Sequence, residues 1–216
     1  MLALYGHLFS SYTWKALIAL YANDTHFEFR GLGEDKPAHD AFVAPASPQG
    51  LFPVLVDGPE TVIEATSIIE YLQLNHPGPA RLLPADPAAA IKVRMIDRVF
   101  DNYVMGIMQQ SVAEAIRTGG KPEQSVLDAV SAKLERSYAW IDNWLTGYAV
   151  TYTVTLIECA AAPSLFYADW VHPIPAQFAR LRDWRAHLLA LPPVVRCVDD
   201  ARPYRHYFPL GAPDRD

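Results

Sequence analysis

Apolar positions follow two rhythms along this chain, and the change from one to the other divides it. Leu2, Leu4 and Tyr5 make a short apolar run that predicts a buried strand. Gly6 and His7 open a turn, and the pair Ser10-Ser11 is a candidate N-cap for a helix running to about Tyr21. Trp14, Leu17, Ile18 and Tyr21 recur at spacings of three and four, so that helix carries one apolar stripe. Phe27 to Leu32 alternates apolar and polar and predicts a second strand, parallel to the first through a right-handed crossover. Gly33 to Ala46 mixes charges, prolines and small residues and predicts a short irregular helix with loops. Val54-Leu55-Val56 and Thr61 to Glu64 flank the turn Asp57-Gly58-Pro59-Glu60 and predict a hairpin. A helix follows from Ala65 to about Asn75, with Ile68, Ile69 and Leu72 inward.

Pro77-Gly78-Pro79 and Pro84-Ala85-Asp86-Pro87 then interrupt the chain, and every later pattern is helical. The expected boundary lies there, between a unit at 1–78 and a second at 87–216. In the second unit a long helix is predicted to begin near Pro87 and end before Gly119-Gly120, with Val93, Ile96, Phe100, Val104, Ile107 and Met108 inward. Another spans about Glu123 to Leu145. Thr155-Leu156-Ile157-Glu158 fits a capping box that opens an apolar helix to about Tyr167, in which Pro163 predicts a kink or an early stop. A helix over Ala176–Leu191 ends at Pro192-Pro193, and a short one follows. The aromatic tail Pro203 to Pro209 is expected to pack on the body, with Gly211 onward loose.

At 216 residues the chain is long enough to bury a sizeable core, and its low charged share (19%) against 51% hydrophobic residues marks a packed globular protein. The net charge of -6 argues against nucleic acid as a partner, and no apolar run reaches membrane-span length, so a cytoplasmic location is expected. Cys159 and Cys197 sit among apolar neighbours as buried thiols rather than a disulfide or redox pair, and the seven histidines show no metal-ligand spacing.

Two stretches carry candidate chemistry. The hydroxyls of Ser10 and Ser11 stand at a helix N-terminus, where unpaired N–H groups and the dipole favour an anion; the alternative is a plain helix cap. Pro53 directly precedes Val54, as proline does at a strand start. A cis Phe52–Pro53 bond would leave the backbone of Phe52 free to pair with an extended peptide, whereas an ordinary trans turn would not.

The order of these elements resembles a cytosolic glutathione S-transferase over essentially the whole chain: an α/β thioredoxin-like N-terminal domain followed by an all-α C-terminal domain. Ser10-Ser11-Tyr12-Thr13-Trp14-Lys15 is similar to the active-site segment of serine-type members, of the zeta, theta and bacterial kinds. Phe52-Pro53-Val54-Leu55, Glu64 to Leu72 and Thr155 to Glu158 resemble the family's proline turn, acidic helix start and capping box. The resemblance implies glutathione as co-substrate, with Ser10 stabilising its thiolate and Ser11 or Tyr12 as the alternatives should the register slip. It implies that Phe52 and Pro53 pair with the peptide backbone, and that Glu64, Ala65 and Thr66 meet the γ-glutamyl end. A hydrophobic electrophile would lie between the domains, against Met105 and Gln109, and the protein would be a homodimer. Two positions depart from many relatives: Leu51 stands in place of a Lys or similar polar residue, and Ala65 in place of a Ser. A member that keeps the fold without the chemistry is therefore the alternative.

Overall fold

A computed structural model describes residues 1–216. Strands β1 (Leu2–Gly6), β2 (Glu28–Gly31), β3 (Val54–Asp57) and β4 (Glu60–Ile63) form one sheet in the order β2-β1-β3-β4. The β1–β2 pair is parallel, linked through helix α1 (Ser11–Ala22), and the other two pairs are antiparallel. Gly58, at φ 59°, supplies the left-handed turn that lets Asp57 face Glu60 across the hairpin. Helix α2 (Pro37–Ala46) occupies the irregular stretch, and α3 (Ala65–Asn75) packs against α1 with Ile68, Ile69 and Leu72 buried. At Gly6 strand β1 comes into close contact with α1. A Cβ there would lie 2.7 Å from the Thr13 side chain, so the absence of a side chain fixes how near the start of α1 comes to the sheet.

The long helical rod after Pro87 is not uniform. It consists of α4 (Pro87–Phe100), a π-helical turn (Asp101–Met105) in which Gly106 N–H reaches back to Asp101 C=O, and α5 (Gly106–Arg117). A π turn holds an extra residue, so the faces beyond it rotate relative to those before it. Helices α6 (Gln124–Trp144), α7 (Leu156–Val171), α8 (Ala179–Leu189) and α9 (Pro192–Ala201) complete the second unit. The capping box at Thr155 is formed: Ile157 N–H donates to Thr155 Oγ1 (3.1 Å) and Thr155 N–H to Glu158 Oε2 (2.9 Å).

Helix α7 does not stop near Tyr167, nor at Pro163. Every residue of it except Val171 is buried, and that packing outweighs the roughly 3 kcal/mol a proline costs inside a helix. Helix α8 starts at Ala179 rather than Ala176, because Phe178 N–H turns back to Pro175 C=O before it. The end of the chain is tied down rather than loose: Arg202 holds the Asp216 carboxylate through two bonds (3.1 and 2.7 Å), Arg205 joins it, and Arg215 pairs with Asp169. Both cysteines are buried free thiols, and burial pushes each thiol well above its ordinary pKa. No helix is long and apolar enough to cross a membrane.

Candidate active site

Ser10 occupies the N-cap of α1 with extended backbone angles (φ -93°, ψ 126°), and its Oγ accepts from Thr13 N–H at 3.3 Å. An oxygen that accepts in this way keeps its own proton free to donate. The loop that carries it is pinned from three sides. Trp14 Nε1–H donates to Leu8 C=O (2.7 Å), Phe9 N–H to His7 Nδ1 (3.1 Å), and the Tyr167 hydroxyl to Phe9 C=O (2.8 Å). Burial lowers the His7 pKa, which suits a ring nitrogen that accepts. Aromatic side chains enclose this loop: Phe9 lies edge-on to Tyr167 (5.4 Å), and His7 to Tyr204 (4.8 Å).

Beside α1 lies a cleft of about 360 Å³ lined by Tyr12, Leu51, Phe52, Pro53, Glu64 and Ala65 on the first unit and by Arg98, Asp101 and Asn102 on the second. The Phe52–Pro53 bond is cis, and neither the N–H nor the C=O of Phe52 is hydrogen-bonded within the protein. Glu64 has φ 67°, unusual for a residue other than glycine, and its exposed carboxylate has no partner. Helix α3 starts directly after it without a side-chain cap, so the N–H groups of Ala65, Thr66 and Ser67 point outward unpaired.

Under the floor of the cleft lies a buried charge cluster. Lys15, fully buried on α1, donates from Nζ to Asp97 Oδ1 (2.7 Å), Asp101 Oδ1 (2.7 Å) and Thr66 Oγ1 (3.1 Å). Its three donors therefore meet three different residues on α3, α4 and the π turn. The Thr66 hydroxyl donates in turn to Asp97 Oδ2 (3.0 Å) and also accepts from Arg98. Burial pushes the Asp101 carboxyl above the ordinary range, with Asp97 adding to the shift and Lys15 and Arg98 opposing it. The ion pair thus only partly offsets the cost of burying that carboxylate.

Of the residues singled out in the sequence, Tyr12, Phe52, Pro53, Glu64 and Ala65 share the cleft, while Ser10 and Ser11 form the adjoining start of α1. Burial, with Asp101 and Glu64 nearby, pushes the Tyr12 phenol up to about 12. Thr66 reaches the site through its N–H alone, since its hydroxyl is turned into the charge cluster and saturated there. Met105 does not line a substrate pocket: it is fully buried in the core, on the rotated face of the π turn. Gln109 is half-buried on α5, two turns past the cleft residue Asp101. Lys15, Asp97, Arg98 and Asp101 went unrecognised in the sequence. The available signal was a lysine inside the apolar run Trp14 to Leu20, which demands a buried partner.

Residues 4–80 match the family model for the glutathione S-transferase N-terminal domain. The uncharacterized GST-like protein YibF of Escherichia coli (strain K12) is 30% identical over 174 residues, 80% of this chain and 84% of its own. Maleylpyruvate isomerase of a Ralstonia species is 27% identical over 224 residues, 98% of each chain. Among solved structures, the holo form of a maleyl pyruvate isomerase, a bacterial zeta-class glutathione S-transferase, superposes with a TM-score of 0.74 at 25% identity. That match covers 99% of this chain and 100% of the other.

Proposed function

Because this chain belongs to the glutathione S-transferase family, we propose that it binds glutathione in the cleft beside α1 and activates it as a thiolate for attack on a hydrophobic electrophile. The observation that carries this reading is the joint exposure, in one cleft, of an unpaired Phe52 backbone, an unpaired Glu64 carboxylate and the uncapped start of α3. The peptide backbone of glutathione pairs antiparallel with Phe52, its ammonium meets Glu64, and its γ-glutamyl carboxylate meets the N–H groups of Ala65 and Thr66. On this reading 1–78 is the glutathione-binding domain and 87–216 the helical domain that closes over it.

Activation is an electrostatic task of known size. A free thiol has a pKa of about 8.5, and bringing it near 6.5 takes roughly 2.7 kcal/mol in favour of the anion. A charge-assisted hydrogen bond from Ser10 supplies about 1.5–3 kcal/mol, and the α1 N-terminus about 0.3–1 more. Together they come to about 1.8–4 kcal/mol, a range that brackets the requirement without a base. The thiol proton leaves to water, and Ser10 keeps its own. The aromatic surround of the loop, including Phe9, Tyr167 and Tyr204, favours an apolar electrophile.

A second reading, glutathione-assisted cis–trans isomerisation of a maleyl diacid, is favoured by the end-to-end similarity to maleylpyruvate isomerase. There the thiolate adds to the double bond, the new single bond rotates, and the thiolate leaves again. Parallel assays with an aryl halide and with maleylpyruvate separate the two readings. Calorimetry with glutathione tests both, since no heat at millimolar ligand leaves only a non-catalytic member of the family. A homodimer completes the proposal, with the Glu60–Leu74 side of one copy against the helical domain of the next. Leu74 (79% exposed), Ile91 (65%) and Met95 (51%) support it as apolar side chains on α3 and α4 that nothing in the monomer covers.

A further inference from the structure

We propose that Arg98 is the side chain that binds the γ-glutamyl carboxylate of the ligand and sets the site's preference for that end of the peptide. This rests on the cleft being the glutathione site. Among the residues lining it only three are charged, namely Glu64, Asp101 and Arg98, so Arg98 is the one cation. Leu51 and Ala65 bring no polar side chain, and the Thr66 hydroxyl is already saturated by Lys15, Asp97 and Arg98. A ligand carboxylate arriving at the start of α3 therefore finds backbone N–H groups and one cationic side chain.

The geometry of Arg98 suits the task. Its Nε donates to Asp97 Oδ2 (3.1 Å), and its Nη2 donates to Asp97 Oδ2 (2.6 Å), Asp101 Oδ2 (3.0 Å) and the Thr66 hydroxyl. Those bonds fix the plane of the guanidinium beside the second residue of α3. Both N–H groups of Nη1 remain unpaired, on a side chain that is 51% exposed. One edge of the fork is thus anchored in the buried cluster, and the other is left free on a side chain that lines the cleft, so a carboxylate can be met without breaking the anchor. The charges are also apportioned correctly for an amino-acid-like head. Glu64 and the outer side of Asp101 face the ammonium, and Arg98 with the α3 N–H groups faces the carboxylate.

The test compares glutathione with 4-aminobutanoyl-cysteinyl-glycine, which lacks only the carboxylate in question, by calorimetry on the parent and on Arg98→Gln. The parent is expected to prefer glutathione by at least about tenfold, and Arg98→Gln to lose most of that preference by weakening for glutathione alone. Arg98→Lys, which keeps a charge beside Asp97 and Asp101 but cannot present Nη1, replaces it should the glutamine variant fail to fold, and is expected to lose at least about threefold of the preference. A variant that keeps the full preference, or weakens equally for both peptides, overturns the assignment while leaving glutathione as the ligand. A parent that binds neither peptide overturns the site itself.

Discussion

Lys15 Nζ stands 2.7 Å from Asp97 Oδ1, joining residues 82 positions apart and tying the first helix of the α/β unit to the helical rod. Both side chains are buried, and the same ammonium reaches Asp101 at the edge of the cleft. The pair holds together the two walls between which the ligand is proposed to lie.

Removing the ammonium leaves the buried Asp97 carboxylate and the neighbouring Asp101 with the half-exposed Arg98 as their one remaining cation. Lys15→Met is expected to cost about 3–5 kcal/mol, as for other buried ion pairs broken from one side. Lys15→Met combined with Asp97→Asn is expected to recover part of that loss, because one stranded charge disappears. Urea unfolding of the two variants checks this, and a single-variant loss below about 1 kcal/mol would show the cluster to be energetically idle.

The pH dependence separates Ser10 from Tyr12. The phenol is pushed up to about 12, so Tyr12 stays neutral through the range in which a thiol titrates. A raised pKa contributes stability that is fully present below the ordinary 10.0 and is lost as pH rises through about 12. Activity is therefore expected to rise once, with the ionisation of the bound thiol, and to show no second inflection before the phenol ionises. Tyr12→Phe should leave the position of that rise unchanged. A displaced rise would transfer the thiolate contact to Tyr12.

Ser10→Ala is expected to lower kcat/KM at least about tenfold, as loss of one charge-assisted hydrogen bond implies. Because Ser10 also caps α1, the same variant should lose about 0.5–2 kcal/mol of stability. Ser10→Thr keeps both functions in part and should fall between. Equal activity in the alanine variant would move the role to Ser11 or Tyr12.

Leu74→Glu and Met95→Glu each place a charge on the face proposed to meet a second copy. Sedimentation should show the parent as a dimer and the double variant as a 24.1 kDa monomer with unchanged helical content. A parent that sediments as the monomer at micromolar concentration contradicts the assembly.

The features legible in the sequence are those written by neighbouring residues. Ser10 before an apolar stripe, Pro53 before Val54, and Thr155 three residues before Glu158 each fix a local backbone geometry, and each appears where expected. What could not be read depends on residues far apart or on packing. Lys15 needs partners from a helix 82 residues away, and no periodicity announces them. Pro163 reads as a helix breaker until burial on all sides is known. Met105 is expected beside the electrophile from the resemblance alone, and packing around the π turn instead buries it in the core. Arg98 reads in the sequence as one more surface charge, and only the fold sets it beside Thr66.

The central claim concerns sulfur at the start of α1, and titrating bound glutathione by thiolate ultraviolet absorbance tests it most directly. The account predicts a bound thiol near 6.5, about two units below the free value, and a return most of the way to about 8.5 in Ser10→Ala. A bound thiol that titrates where the free one does would contradict it.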